Sequence, residues 1–380
     1  MLMAPVGSVQ LPFYDDAVRL AMDEQIFALQ AYGGISRDFV EQIRVLRRDS
    51  SLGVDLLPIR APIINEFILQ DPHLTERLEV RAVPGAYRAL AHYVSRRRRR
   101  ESVDVVHNTF YLPRGLADYP GAKRVSTVHD MIPELLPRSR RRLDFLTRKA
   151  AYVRASDHII CVSNSTRRDL LRAYPEIKVP VSVAYPGVSQ DFSPQAPKLA
   201  SLPDPYLLHV GNRSGYKDTK TLLLAFFQIL TKFPDLSLVL VGGGQLTTSE
   251  QAMIRQSRIE PTRIQQISLP DRLIPSAYAH ARVTIFPSQY EGFGLPAVEA
   301  MACGSPLILA NTSSLPEVGD TAALYFQPGA HGELADLLTN VLTDESQRKE
   351  MASRGVARAR SFTWEAYTLS NVEVYRRLLN

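Results

Sequence analysis

The sequence predicts an α/β protein built from two doubly wound, Rossmann-like domains, and three observations carry this. Short apolar, β-rich runs alternate with helix-like segments along the whole chain, which implies parallel sheets joined by right-handed crossovers. At 380 residues the chain exceeds the usual single domain, and its 45% hydrophobic content is enough for two cores. A proline-rich stretch poor in large apolar residues, "FSPQAPKLASLPDP" (192–205), breaks the alternation near the middle and reads as a linker.

In the first half the strands expected in order are "AVRLAM" (17–22), "VDLLPI" (54–59), "VDVVHNTF" (103–110), "RVSTVHD" (124–130), "HIICVSN" (158–164) and "VSVAYPGV" (181–188). A helix from about Ile35 places Ile35, Phe39, Ile43 and Leu46 on one apolar stripe. After the linker come "YLLHVGN" (206–212), a helix around "TLLLAFFQIL" (221–230), then "LSLVLVGGG" (236–244), "IQQISLP" (264–270), "VTIFPS" (283–288) and "PLILAN" (306–311). The closing "TWEAYTLSNVEVYRRLLN" (363–380) is helical and falls after the second sheet is complete. These readings set the boundaries at 1–195 for the first domain and 196–363 for the second, with a final helix 364–380.

Composition narrows the function classes. No run of about 18 apolar residues occurs, and the first residues lack a basic start followed by a long apolar stretch, so a cytoplasmic protein without a spanning helix is expected. Cys161 and Cys303 belong to no C-x-x-C pair, which favours buried thiols over a disulfide or a zinc site. A net charge of +6 favours anionic partners. The run "SRRRRRE" (95–101) could suggest nucleic acid, but no recognised nucleic-acid module accompanies it, and no nucleic-acid partner is expected.

The stretch richest in chemistry is "YEGFGLPAVEAMACG" (290–304), which follows a buried strand. Pro296 suits the start of a helix and Gly304 the residue just past its end, giving strand, glycine loop, helix. Such loops at the carboxyl ends of parallel strands are where open α/β sheets gather ligands. The N–H groups of Phe293, Gly294 and Leu295 would stand at the positive end of the helix, available to an anion. Gly292 and Gly294 would let that backbone come close. Glu291, ahead of the loop, and Glu299, expected in the first turn, could flank the anion and accept hydrogen bonds from hydroxyls on either side of it. Hydroxyls, then phosphates, then hydroxyls describe a nucleotide sugar.

"EGFGLPAVEAMACG" resembles the E-x7-E signature of retaining family 4 glycosyltransferases, which have the GT-B fold of two Rossmann-like domains facing a central cleft. The resemblance implies that Glu291 contacts the hydroxyls of the transferred sugar and Glu299 the ribose. "GNRSGYKD" (211–218) resembles the family loop that sets an arginine and a lysine against the diphosphate, which assigns those roles to Arg213 and Lys217. Fixed cations there would favour a transition state in which the leaving diphosphate gains charge. By the same resemblance Gly33 and Gly34 in "YGGIS" face the diphosphate and acceptor from the first domain. His129 in "STVHD" contacts the hexose, with Asp130 beside it. Ser163 in "CVSNSTRRDL" resembles a serine near the cleft, although a helix N-cap accounts for it equally well. The last helix is expected to cross back to the first domain.

No D-x-D pair occurs, so no metal and no cofactor are expected, with the cations and helix dipoles serving instead. The "HD" turn, the "GNR" loop and the short first domain look most like GDP-mannose-using members that build bacterial surface polysaccharides. The implied reaction transfers mannose, with retention, to a hydroxyl of a glycan or lipid-linked acceptor. UDP-glucose, UDP-N-acetylglucosamine and GDP-rhamnose remain open as donors, and a nucleotide-sugar epimerase of the same fold is the competing enzyme class. Basic runs at 96–100 and 138–142, the second leading into Leu143, Leu146, Ala150 and Val153 at helical spacing, suggest peripheral contact with an anionic bilayer at the inner face of the membrane.

Overall fold

A computed structural model describes residues 17–59, 62–78, 81–82, 102–112, 115–136, 141–213 and 215–380. The basic runs 96–100 and 138–140 lie outside the described residues, as do the side chains of Arg141 and Arg142.

The strands, in chain order, are β1 (Val18–Met22), β2 (Val54–Leu56), β3 (Pro62–Ile63), β4 (Arg81–Ala82), β5 (Val105–Asn108), β6 (Lys123–Val128), β7 (His158–Cys161) and β8 (Val181–Val183). They are followed by β9 (Tyr206–Val210), β10 (Ser237–Val241), β11 (Ile264–Ile267), β12 (Val283–Phe286), β13 (Leu307–Ala310) and β14 (Ala323–Phe326). One six-stranded sheet runs β2-β1-β5-β6-β7-β8, the other β11-β10-β9-β12-β13-β14, and β3 pairs with β4. In the second sheet every neighbour pair is parallel. Both six-stranded orders reverse direction once, between β1 and β5 and between β9 and β12. Those are the switch points at which crossovers leave to opposite faces and open a crevice above the strands' carboxyl ends.

Each strand expected from the sequence is present. β14 was not anticipated: it is four residues long and half-buried in its middle, so neither length nor apolar periodicity marks it. The expected stripe on the helix Gly34–Arg48 is real for Phe39, Ile43 and Leu46, all buried. Residues 192–205 hold turns and no helix or strand.

The chain forms two compact units, one of Met1–Val125 with Val372–Asn380 and a second of Ser126–Asn371. In the first unit the end of the helix Trp364–Arg377 is held by polar bonds: the buried Tyr375 hydroxyl accepts from Gln42 Nε2 at 2.8 Å and meets His107 Nδ1 at 2.7 Å. Arg376 donates to the Leu52 carbonyl at 2.7 Å. The second unit holds a large apolar core under the second sheet, from Leu207, Leu238 and Ile285 to Val298, Ile308 and Leu334. A smaller core gathers Val128, Met131, Val153, Ile159, Cys161 and Tyr290.

Candidate active site

The two loops flanking the β9/β12 switch point carry the expected charges. After β9 the chain passes Gly211 (φ +128), forms a short turn Gly215–Lys217, and enters the helix Thr219–Ile229. After β12 it crosses residues 287–294 and enters the helix Leu295–Ala302. A bond from Gln289 N–H to the Tyr216 carbonyl, 2.7 Å, joins them. Lys217 Nζ then lies 2.6 Å from Glu291 Oε1, with only 17% and 14% of the two side chains exposed. Burial is the largest single influence and would weaken the ammonium, but the charge and hydrogen bond of Glu291 together with Tyr216 and Asp130 outweigh it and the Lys217 pKa is raised, so the lysine is cationic.

Glu291 is fixed through its backbone. Its N–H donates to Ser313 Oγ at 2.8 Å, and the Ser314 hydroxyl bridges the carbonyls of Glu291 (2.9 Å) and Phe293 (2.8 Å). Ser313 is held at φ +49, a region that non-glycine residues seldom occupy and that recurs at functional loops. Gly294 caps the helix at φ +103, where a side chain would be strained. Among the described residues, the N–H groups of Phe293, Gly294 and Leu295 have no hydrogen-bond partner within the protein. That leaves an N-terminal cluster of donors open to an anion. Glu299 is the fifth helical residue rather than a first-turn one, because the helix begins at Leu295 and Pro296 is its second residue. It is buried, and Tyr278 Oη lies 3.3 Å from its Oε2.

The turn after β6 meets this loop at Gly292. A Cβ there would sit 1.7 Å from the His129 carbonyl oxygen, so only glycine permits the approach. Asp130 is near enough for its charge to act on both Lys217 and Tyr290, and its carboxylate accepts from the Ile132 N–H at 3.0 Å. Ser163 is a helix N-cap, the second of the two readings considered for it. It caps the helix Asn164–Ala173, accepting from Thr166 N–H at 3.0 Å, and it donates to the Gly292 carbonyl at 2.6 Å. Thr166 donates to the same carbonyl at 2.9 Å, a contact no sequence pattern indicated.

Arg213 departs from the expectation. Its Nε bonds Glu250 Oε1 at 3.1 Å, and its terminal nitrogens bond the carbonyls of Gly242, Gly244 (2.7 Å) and Gln245 (2.9 Å). A guanidinium bonded to four protein acceptors holds the glycine loop after β10, a role no sequence pattern indicated. Of the two expected cations, Lys217 is the one brought to Glu291. Gly33 and Gly34 belong to the other compact unit, where Gly33 is the N-cap of the helix Gly34–Arg48 in extended conformation.

In the stripe proposed for a bilayer, Leu143 is 68% exposed, whereas Ala150 and Val153 are buried. The stripe is therefore not one surface, because half of it belongs to the core. Among the described residues no helix is long and apolar enough to cross a membrane, and no group of three metal-ligating side chains is gathered.

Two parallel sheets, a switch-point loop of free amides and a flanking pair of carboxylates define a GT-B glycosyltransferase. Family models agree: "Glycosyl transferases group 1" matches residues 192–358 and "Glycosyltransferase Family 4" matches residues 59–192. Together they span 59–358, and the chain belongs to this glycosyltransferase family. It is 29% identical over 390 residues to O-antigen chain mannosyltransferase B of Escherichia coli, covering 95% of this chain and 93% of that one. Sucrose-phosphate synthase from Thermosynechococcus elongatus shares the fold at a TM-score of 0.70 and 20% identity, over 95% of this chain and 99% of that one. The Anabaena protein HepE, solved with UDP-glucose, does so at a TM-score of 0.68 and 16% identity, over 95% of this chain and 100% of that one.

Proposed function

We propose that this glycosyltransferase moves a hexose, mannose from GDP-mannose, to a hydroxyl of a glycan or lipid-linked acceptor, with retention at the anomeric carbon and without a metal ion. The observation that carries the reading is the pairing of Lys217 with Glu291 beside free helix N-terminal amides, at the switch point of the second sheet. The diphosphate would lie on the amides of 293–295 and on Lys217, with the ribose toward Glu299 and the hexose toward Glu291, His129 and Asp130. Glu291 would accept hydrogen bonds from sugar hydroxyls and stabilise positive charge at the anomeric centre. The leaving diphosphate would take the acceptor's proton, so no covalent sugar–enzyme intermediate is needed. Lys217 and the helix dipole would supply the charge that a metal supplies in other transferases.

The likeness to an O-antigen mannosyltransferase supports mannose and a polysaccharide acceptor. The exposed Leu143 and Leu135 on the segment around the second basic run support contact with an anionic bilayer carrying that acceptor. The test is a panel of mass-coded nucleotide sugars, each offered with an alkyl α-mannoside acceptor and with EDTA. Acceptor-dependent transfer from GDP-mannose is expected. Isomerised donor with no transfer would indicate an epimerase, and transfer from a UDP-sugar alone would move the donor assignment.

A further inference from the structure

Behind the turn that carries His129 and Asp130 lies a buried ion pair. Lys149, on the helix Arg141–Ala155, has 2% of its side chain exposed and its partner Glu134 8%. The Lys149 Nζ reaches Glu134 Oε1 at 2.8 Å and Oε2 at 3.0 Å, the Asp130 carbonyl oxygen at 2.7 Å and Met131 Sδ at 3.4 Å. Glu134 accepts a further bond from the Tyr174 hydroxyl at 2.9 Å. A buried ion pair seldom stabilises a fold more than a well-packed apolar pair of the same volume, because desolvation offsets the attraction. Core stability therefore does not explain why these residue types stand here. The third bond does. An ammonium can hold a backbone carbonyl in a dry interior, which no apolar side chain can do, and Glu134 keeps that ammonium aimed.

The carbonyl it holds belongs to the turn that meets the catalytic loop. The preceding carbonyl, that of His129, packs against the Cα of Gly292, and the following N–H, that of Ile132, is taken by the Asp130 carboxylate. Gly292 is in turn fixed through its own carbonyl by Ser163 and Thr166. The turn is thus gripped on one side by the loop and on the other by Lys149. We propose that Lys149, oriented by Glu134, is a positioning residue for sugar transfer: its bond to the Asp130 carbonyl fixes the 129–130 turn against Gly292 and so sets where His129 and Asp130 stand beside Glu291. This rests on the reading of these residues as the hexose end of the site.

The test is the double variant Glu134→Gln/Lys149→Met. It removes both charges, leaves none unpaired and keeps an acceptor for Tyr174. Its unfolding midpoint should stay near that of the unmodified protein, and its affinity for free GDP should be unchanged. Amide exchange across 128–132 should accelerate, and kcat should fall about tenfold to a hundredfold, the scale of a displaced catalytic group. Wild-type kcat, or unaltered exchange at 128–132, would overturn the proposal. Should the double variant fold poorly, Lys149→Arg keeps the ion pair while moving the donor off the carbonyl, and the same fall in kcat with a retained fold is required of it. A wild type that transfers from no donor would count against the function reading alone, and the exchange comparison would still decide this one.

Discussion

Lys217 and Glu291 occupy each other at 2.6 Å, so a diphosphate placed on Lys217, as proposed, would compete with Glu291 for it. Glu291→Gln should therefore bind free GDP as well as the wild type or several-fold more tightly. Its kcat should fall on the order of ten to a hundredfold, the scale of a lost bond to a charged group, about 1.5–3 kcal/mol. Glu299→Ala should instead weaken free GDP about tenfold or more, since the ribose is present in the nucleotide. Calorimetric titration of GDP into each protein checks both, and equal losses in the two variants would undo the division of labour. Burial pushes the thiols of Cys161 and Cys303 up to about 12, so both should resist a thiol reagent at pH 8 until the chain is unfolded. A fast-reacting native thiol would contradict that. Glu291, Glu299 and Lys217 were singled out by the resemblance of their motifs to the family's. The inward turn of Arg213 was not legible, because its partners Glu250 and Gly242 are 37 and 29 positions away and only the fold brings them together.

Among the elements, the loop between β12 and the helix Leu295–Ala302 tolerates least. Gly292→Ala places a methyl group within 1.7 Å of the His129 oxygen, so the loop or the turn must move. Activity should drop at least a hundredfold with a smaller loss of stability, measurable as kcat/KM against unfolding midpoint. Gly332 offers the opposite case. It lies in the helix His331–Thr343 with nothing within 4 Å of an added Cβ, and Gly332→Ala should raise stability by about 0.4–1 kcal/mol with activity unchanged. Strand and helix existence was legible because apolar runs and their spacing report burial directly. Helix starts were less so: with Gly294 taking the left-handed cap, the helix begins at Leu295, one residue before the expected Pro296, and Glu299 becomes its fifth residue, just past the first turn. The helix Asn164–Ala173 likewise owes its first two N–H bonds to Glu317, from 153 and 152 positions away, which no local pattern encodes. Glu317→Ala should cost about 1–3 kcal/mol of stability, seen as a lower unfolding midpoint.

For the whole molecule, a sequence alone disclosed two sheets and a glycosyltransferase motif. It could not disclose how the turn after β6, the helix Asn164–Ala173 and the β12 loop converge on Gly292, since each contributes one or two atoms from a distant part of the chain. In the proposed donor placement, that convergence would set the hexose end of the site beside its nucleotide end. If Lys217 and the helix N-terminus carry the leaving group's charge, EDTA should leave the rate within about twofold, since no metal need be replaced. The most direct test of the account is proton NMR of the product formed from the α-linked donor GDP-mannose and an alkyl α-mannoside acceptor. The account predicts a new α-mannosidic linkage formed in the presence of EDTA. A β linkage, or transfer abolished by EDTA and restored by a divalent ion, would contradict it.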